Sequence, residues 1–213
     1  MNNGGKKKIG IMGGTFNPIH HGHLVTAQEA LDQFCLDEVI FIPTGDPPHK
    51  VENHLADAED RYLMTVIATS SNSNFFVSRI EIDRKGKSYT IDTVKELRKI
   101  YGTNLELFFI TGADAILEIL SWKDTKETVK LAKFIAATRP GYDLSKIKYL
   151  KSTLFSSEKE ANDRIFIMEI PALAISSTNI RERVEGSRLI NYLVPEGVSN
   201  YIHKHRLYRQ DRS

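Results

Sequence analysis

Apolar and polar positions alternate along this chain with two different periods. Short apolar runs, rich in β-branched and aromatic residues, recur at 9–12, 38–42, 75–78, 105–110, 132–137 and 164–170. Turn residues bound each run, which predicts strands buried in a sheet. Between the runs the spacing lengthens to three or four. From Gly22 onward Leu24, Ala27, Gln28 and Leu31 share a helical face, and in 57–71 Tyr62, Leu63, Val66 and Ile67 do so. Ile91, Val94 and Leu97 give the same pattern in 91–101. The segment 111–114 opens a short helix through Leu120, and 175–178 caps one that runs to about Glu185. A last helix is expected within 195–208, with Val198, Tyr201 and Ile202 inward, while the polar stretch 81–87 reads as a loop.

Strands that alternate with helices imply parallel strands joined by right-handed crossovers. The expected fold is therefore α/β, a Rossmann-like doubly wound parallel sheet with helices on both faces. We expect one domain over 1–213, with 187–213 as its C-terminal helical extension. Ligands of such sheets collect outside the carboxyl ends of the strands. The four unusual segments 13–23, 44–50, 111–122 and 139–142 all follow a strand.

The first of these segments carries the chemistry. Gly13-Gly14 ends the opening strand, Pro18 fixes the turn, and His20 and His23 stand where the helix begins. Free N–H groups and the helix dipole favour an anion there, so the segment reads as a nucleotide triphosphate site. Two commoner phosphate motifs fail. Gly4-Gly5-Lys6 precedes the first strand and lacks the following Ser or Thr, and Gly10, Gly13 and Gly14 lack the G-x-G-x-x-G spacing.

Composition changes this picture little. Charged residues at 26% and hydrophobic ones at 41% are those of an ordinary soluble protein, and a net charge of +2 argues neither for nor against nucleic acid. The lone Cys35 excludes an intramolecular disulfide and fits a reducing compartment. The polar lead-in 1–8, with Lys6-Lys7-Lys8 as a solubilising patch, and the four apolar residues after it provide neither a signal peptide nor a spanning helix. A cytoplasmic location is expected, without a membrane or nucleic-acid partner.

The remaining motifs extend the first. They are P-P-H-K (47–50), S-Y-T-I-D-T (88–93), G-A-D (112–114), Trp122, R-P-G-Y (139–142) and I-S-S-T-N-I-R (175–181). Together with G-G-T-F-N-P-I-H-H-G-H (13–23), they make the chain resemble the nucleotidylyltransferases marked by H-x-G-H and I-S-S-T-x-I-R elements. Within that superfamily it is most similar to the bacterial nicotinate-mononucleotide adenylyltransferases. The resemblance spans essentially the whole chain. Asn17 and Ile19 depart from the residues more usual in relatives, at positions given no chemistry.

The resemblance implies attack of a mononucleotide phosphate on the α-phosphate of ATP, with release of pyrophosphate. The nucleophile is already an anion, so alignment and charge stabilisation are what the protein must supply. By resemblance His20 and His23 contact the ATP phosphates and donate in the transition state; a hydrogen-bonded structural pair is the alternative, and His21 is incidental. The backbone of Gly13, Gly14, Thr15 and Phe16 cradles adenosine and phosphate. Ile175, Ser176, Ser177 and Thr178 form a helix start that binds phosphate or merely caps the helix, and Arg181 reaches the distal phosphates. His49 and Lys50 approach the reacting groups, unless their loop is simply solvated. Arg139 holds a phosphate or makes a salt bridge, and Asp114 binds a ribose hydroxyl or caps its own helix.

For the second substrate, Trp122 stacks on the pyridine ring, worth ~1–3 kcal/mol, or else anchors in the core beside Leu117 and Leu120. The resemblance implies that a backbone N–H near Lys123 and the hydroxyl of Thr90 read the ring carboxylate, and such donors favour nicotinate over nicotinamide mononucleotide. His54, His203 and His205 fall outside every motif. Mg2+ is implied with the triphosphate, held mainly by phosphate oxygens and water. No residues have metal-ligand spacing, and the His20/His23 pair lacks a third zinc ligand. The sequence is compatible with a homo-oligomer. Competing readings are adenylyl transfer to nicotinamide mononucleotide, FMN or phosphopantetheine, a non-catalytic nucleotide sensor, and an RNA-binding relative of class I aminoacyl-tRNA synthetases. The last would need a lysine-rich catalytic loop and a tRNA-binding domain for which the chain is too short.

Overall fold

Six strands pair side by side in the order β3-β2-β1-β4-β5-β6, every pair parallel: β1 (Lys7–Gly14), β2 (Glu38–Pro43), β3 (Phe75–Val77), β4 (Leu105–Gly112), β5 (Lys133–Thr138) and β6 (Ile165–Glu169). The computed structural model describes residues 5–47, 55–102, 104–171 and 173–209. The order reverses direction at β1, whose Ile9 lies between Glu38 of β2 and Leu107 of β4. The doubly wound fold expected from the sequence is therefore the one found, and β1/β4 is its switch point.

Side chains alternate across the sheet and feed two cores. Met12, Phe41, Phe108, Ile135 and Met168 face one side. They are covered by α1 (His21–Gln33), α2 (Ala58–Thr69), α8 (Ser177–Glu185) and α9 (Glu196–Lys204). Ile9, Ile11, Ile40, Leu107 and Phe134 face the other. Above these lie α3 (Thr90–Tyr101), α4 (Ala113–Leu117), α5 (Thr125–Leu131) and α6 (Ser145–Leu154). A 3-10 turn, Glu118–Ser121, follows α4, and α7 (Glu158–Arg164) leads into β6. α9 buries Val198 and Ile202 in the first core, and its Tyr201 hydroxyl donates to Asp60 Oδ1 of α2 at 2.8 Å.

One helical face differs from expectation. α2 buries Arg61, Met64, Thr65, Ala68 and Thr69, while Leu63 and Val66 are each 37% exposed. Polar residues occupy the inner face because each satisfies itself there. Thr65 and Thr69 donate to the carbonyls of Arg61 and Thr65 at 2.7 and 2.9 Å, and Arg61 bonds three carbonyls described below. The periodicity also gives no expectation for α5, α6 and α7. Among the described residues no helix is long and apolar enough to cross a membrane.

Candidate active site

A cleft of about 480 Å³ opens at the switch point. Met12 and Gly13 of β1, Ile110 to Gly112 of β4, and Ala137 and Thr138 of β5 form its floor. His20, His23, Asp114, Arg139, Tyr142 and Ile175 stand around it. A second hollow, of about 640 Å³, lies at the amino ends of β4 and β5. Its Lys133 ammonium is paired with Glu106 at 2.8 Å, and none of the sequence motifs reaches it.

The two motif histidines stack on each other at the head of α1, ring centroids 3.7 Å apart and 27° from parallel. Nδ1 of His23 accepts the N–H of His20 at 3.2 Å, which leaves the proton of the neutral ring on Nε2. His20 is buried, and its own Nδ1 has no hydrogen-bond partner among the described residues. Gly22 is fixed by this packing: a Cβ there would lie 3.0 Å from Cε1 and Nδ1 of His20. Phe16, at φ 50°, closes the other side with its ring edge-on to His23 at 5.1 Å.

Burial, and then the neighbouring His21, hold the His20 pKa down at about 4. Burial, and then His20, hold that of His23 well below its ordinary value. Both rings are neutral at neutral pH. For His20 the folded pKa lies below the unfolded value of 6.5, so its contribution to stability is complete above pH 6.5 and is lost as pH falls through about 4. The difference is worth roughly 3 kcal/mol. Urea midpoints measured from pH 7.5 to 4 should fall less steeply for His20→Gln than for wild type; parallel curves would place the acid sensitivity elsewhere.

The late motif is fastened to the early one. Ser177 Oγ donates to Pro18 O at 2.8 Å, and Arg181 Nη1 donates to Asn17 O at 2.8 Å. Arg181 Nη2 also reaches Thr178 Oγ1 at 3.5 Å. Capping falls to Ser176, whose side chain accepts from Asn179 N at 3.2 Å. The sequence reading left capping and phosphate binding open for this segment. Ser176 takes the cap, while Ser177 and Thr178 form the first turn of α8.

Trp122, Lys123 and Thr90 do not line the cleft and form a second cluster. Lys123 Nζ lies 4.7 Å above the Tyr89 ring and 3.4 Å from Asp92 Oδ2, beside Thr90 at the start of α3. Trp122 packs edge-on against Phe109 at 5.7 Å and tilted against Phe134 at 6.3 Å, and it is partly buried beside the second core. Asp114 does not cap α4, a position held by Gly112. It is exposed and accepts from the Tyr142 hydroxyl at 3.0 Å. Arg139 is exposed at the cleft. His49, Lys50 and His54 lie outside the described residues.

Sequence reasoning passed over three residues that shape this region. Tyr142 was visible as part of R-P-G-Y, but its bond to Asp114 was not. Arg61 donates to Thr15 O (2.8 Å), Ala56 O (3.0 Å) and Gly45 O (3.2 Å), which ties the loop after β1 to the β2 exit. Glu81, 8% exposed, sits inside a stretch read as a polar loop. Only a three-dimensional contact reveals either role.

The family model described as cytidylyltransferase-like matches residues 11–183. A protein of Thermoanaerobacter sp. (strain X514) named "Probable nicotinate-nucleotide adenylyltransferase" is 54% identical over 96% of this chain and 95% of its own. One of the same name from Moorella thermoacetica is 55% identical over 95% and 92%. The fold also matches the solved Plasmodium falciparum nicotinic acid mononucleotide adenylyltransferase complexed with NaAD. The TM-score is 0.73 at 24% identity, over 95% of this chain and 97% of that one. The same enzyme complexed with APC gives 0.72 at 22% identity, with the same coverage.

Proposed function

The chain belongs to the nicotinate-nucleotide adenylyltransferases of the cytidylyltransferase-like family, and from that premise we infer how its site transfers the adenylyl group of ATP to nicotinate mononucleotide, giving deamido-NAD and pyrophosphate. The observation that carries the inference is the neutral, stacked His20/His23 pair at the β1/β4 switch point, across the 17–18 turn from the first turn of α8.

ATP enters the cleft with its adenosine along Gly13 to Phe16 and its phosphates toward His20, His23 and the start of α8. The Nε2–H of His23 donates to oxygen of the reacting phosphates. A preorganised donor of this kind is worth roughly 3–4 kcal/mol where charge develops. Ser177, Thr178 and the free amides of the first turn of α8 meet the distal phosphates. Arg181 exchanges its bond to Asn17 O for the departing pyrophosphate. No general base is required, because the attacking phosphate carries its charge already. Lys50 and His49, outside the described residues, complete the positive surround in this reading, with Arg139 at the cleft edge.

The second cluster takes nicotinate mononucleotide. Trp122 stacks on the pyridine ring, the amide near Lys123 and the Thr90 hydroxyl meet the ring carboxylate, and Asp114 takes a ribose hydroxyl. Mg2+ accompanies ATP in this proposal. Among the described residues no three His, Cys, Asp or Glu side chains converge on a metal position, so phosphate oxygens and water would hold it. Bound there, the ion would offset charge on the leaving group. A cytoplasmic setting accords with the single exposed Cys35.

Pyrophosphate release tests the reading when ATP is offered with nicotinate or nicotinamide mononucleotide in turn. A carboxamide turns its NH2 toward donors that fit a carboxylate, so kcat/KM should favour nicotinate by about 10- to 100-fold. Equal rates would remove the Trp122/Thr90 assignment, and no release with either would point to a nucleotide sensor.

A further inference from the structure

We propose that Glu81 is a positioning residue for the mononucleotide half of the site, joining the exit loop of β2 to the Ser88-Tyr89-Thr90 turn; this rests on the adenylyltransferase reading above. Glu81 lies between β3 and α3, outside the residues that line the cleft, and both of its ends are engaged. Its carboxylate sits beneath the start of α3, where Thr93 Oγ1 donates to Oε1 at 2.7 Å. Arg84 Nη1 donates to the same Thr93 hydroxyl at 3.1 Å. The Thr44 and Ser88 hydroxyls are its other polar neighbours, although the buried Ser88 Oγ has no hydrogen-bond partner among the described residues.

The backbone of Glu81 meets the β2 exit directly. A Cβ on Gly45 would fall 2.2 Å from Glu81 O, so only glycine lets the two segments touch. Ser88 N then donates to Asp46 O at 3.0 Å, and Asp46 bridges Lys87. Glu81 thus meets the loop after β2 through its backbone and the first turn of α3 through its carboxylate, while Lys87 and Ser88 join that loop to the turn that carries Thr90. Lys123 reaches this same assembly through Tyr89 and Asp92.

A carboxylate is a costly way to fill such a position. Burial pushes the Glu81 pKa up, against the hydrogen bond from Thr93 and the charge of Arg84. Burying a charge is costly, so a neutral group of the same shape that keeps an acceptor for Thr93 need not lower stability. Its use here is geometric: the Thr93 hydroxyl and the nearby Arg84 guanidinium fix the carboxylate, and through it the spacing between two substrate-bearing segments.

The test is a pair of Michaelis constants on the full chain, with melting temperature as the control. Glu81→Gln should raise KM for nicotinate mononucleotide about tenfold, leave KM for ATP within about twofold, and leave the melting temperature unchanged or higher. Thr93→Val, which removes the shortest donor and keeps the shape, should move the same constant in the same direction, and it carries the test if Glu81→Gln does not fold. Both constants rising together, or neither moving, overturns the proposal. Wild-type protein that releases no pyrophosphate with nicotinate mononucleotide overturns the function on which it rests, an outcome visible before any variant is made.

Discussion

Replacing His23 by alanine should lower kcat at least about 10²-fold while the protein stays folded. Two losses are expected, and they differ in size. The first is the Nε2–H directed at the reacting phosphates. A donor already fixed by stacking on His20, by Phe16 and by the His20 N–H needs no reorganisation as charge builds, so its removal falls mainly on turnover. The second is structural, because Nδ1 accepts the N–H of His20 at 3.2 Å. Leaving that helix-start amide without its acceptor costs about 1 kcal/mol, or about 2–4 °C in Tm for a chain of this length. Steady-state pyrophosphate release and a thermal melt on the same preparation separate the two. A melt that collapsed along with the activity would make the imidazole pair a structural element first.

How much of this was legible in the sequence follows from where each signal resides. The strands were readable because a parallel sheet covered on both faces makes them near-continuous apolar runs, such as L-E-L-F-F-I in β4. α2 was misjudged because its inner face is partly polar, and Arg61, Thr65 and Thr69 are satisfied only by carbonyls the pattern does not show. α6 has only Ile147 and Leu150 as buried anchors, and α7 has only Ala161. α7 did carry one readable mark. Ser157 and Glu160 stand at the spacing of a capping motif, and Ser157 Oγ accepts from Glu160 N at 3.2 Å.

The site divides along the same line. Residues whose proposed chemistry depends on local geometry could be nominated from the sequence, since histidines at a strand-to-helix turn and serines at a helix start announce themselves over a few positions. Residues that act by holding distant segments together were not. Tyr142 matters through Asp114, 28 positions earlier, and Arg61 through Thr15, 46 positions earlier. The fastening of Ser177 to Pro18 belongs to the same class. It was inferable only because both ends lay in recognisable motifs.

Arg61→Met should destabilise the protein by about 3 kcal/mol and weaken ATP binding. Methionine nearly matches the length of the arginine stem, so the position stays filled on the buried face of α2, and what disappears is the guanidinium. Its bonds to Thr15 O, Ala56 O and Gly45 O, at 2.8, 3.0 and 3.2 Å, join the exits of β1 and β2 to the segment that precedes α2. Each of these partly buried carbonyls left without a donor costs about 1 kcal/mol or more. Relief from burying a charge offsets part of that sum, so the net should lie near the lower end. Arg61→Lys should restore little, since one ammonium on a flexible stem does not reproduce a planar fork aimed at three acceptors. The functional effect follows from the same geometry. Thr15 belongs to the loop proposed to cradle adenosine, and its carbonyl would lose the bond that fixes it, so Kd for ATP should rise alongside the lower urea midpoint. A stability loss below about 1 kcal/mol with unchanged ATP affinity would mean that water replaces the guanidinium at all three carbonyls, and that the loop after β1 holds its shape without it.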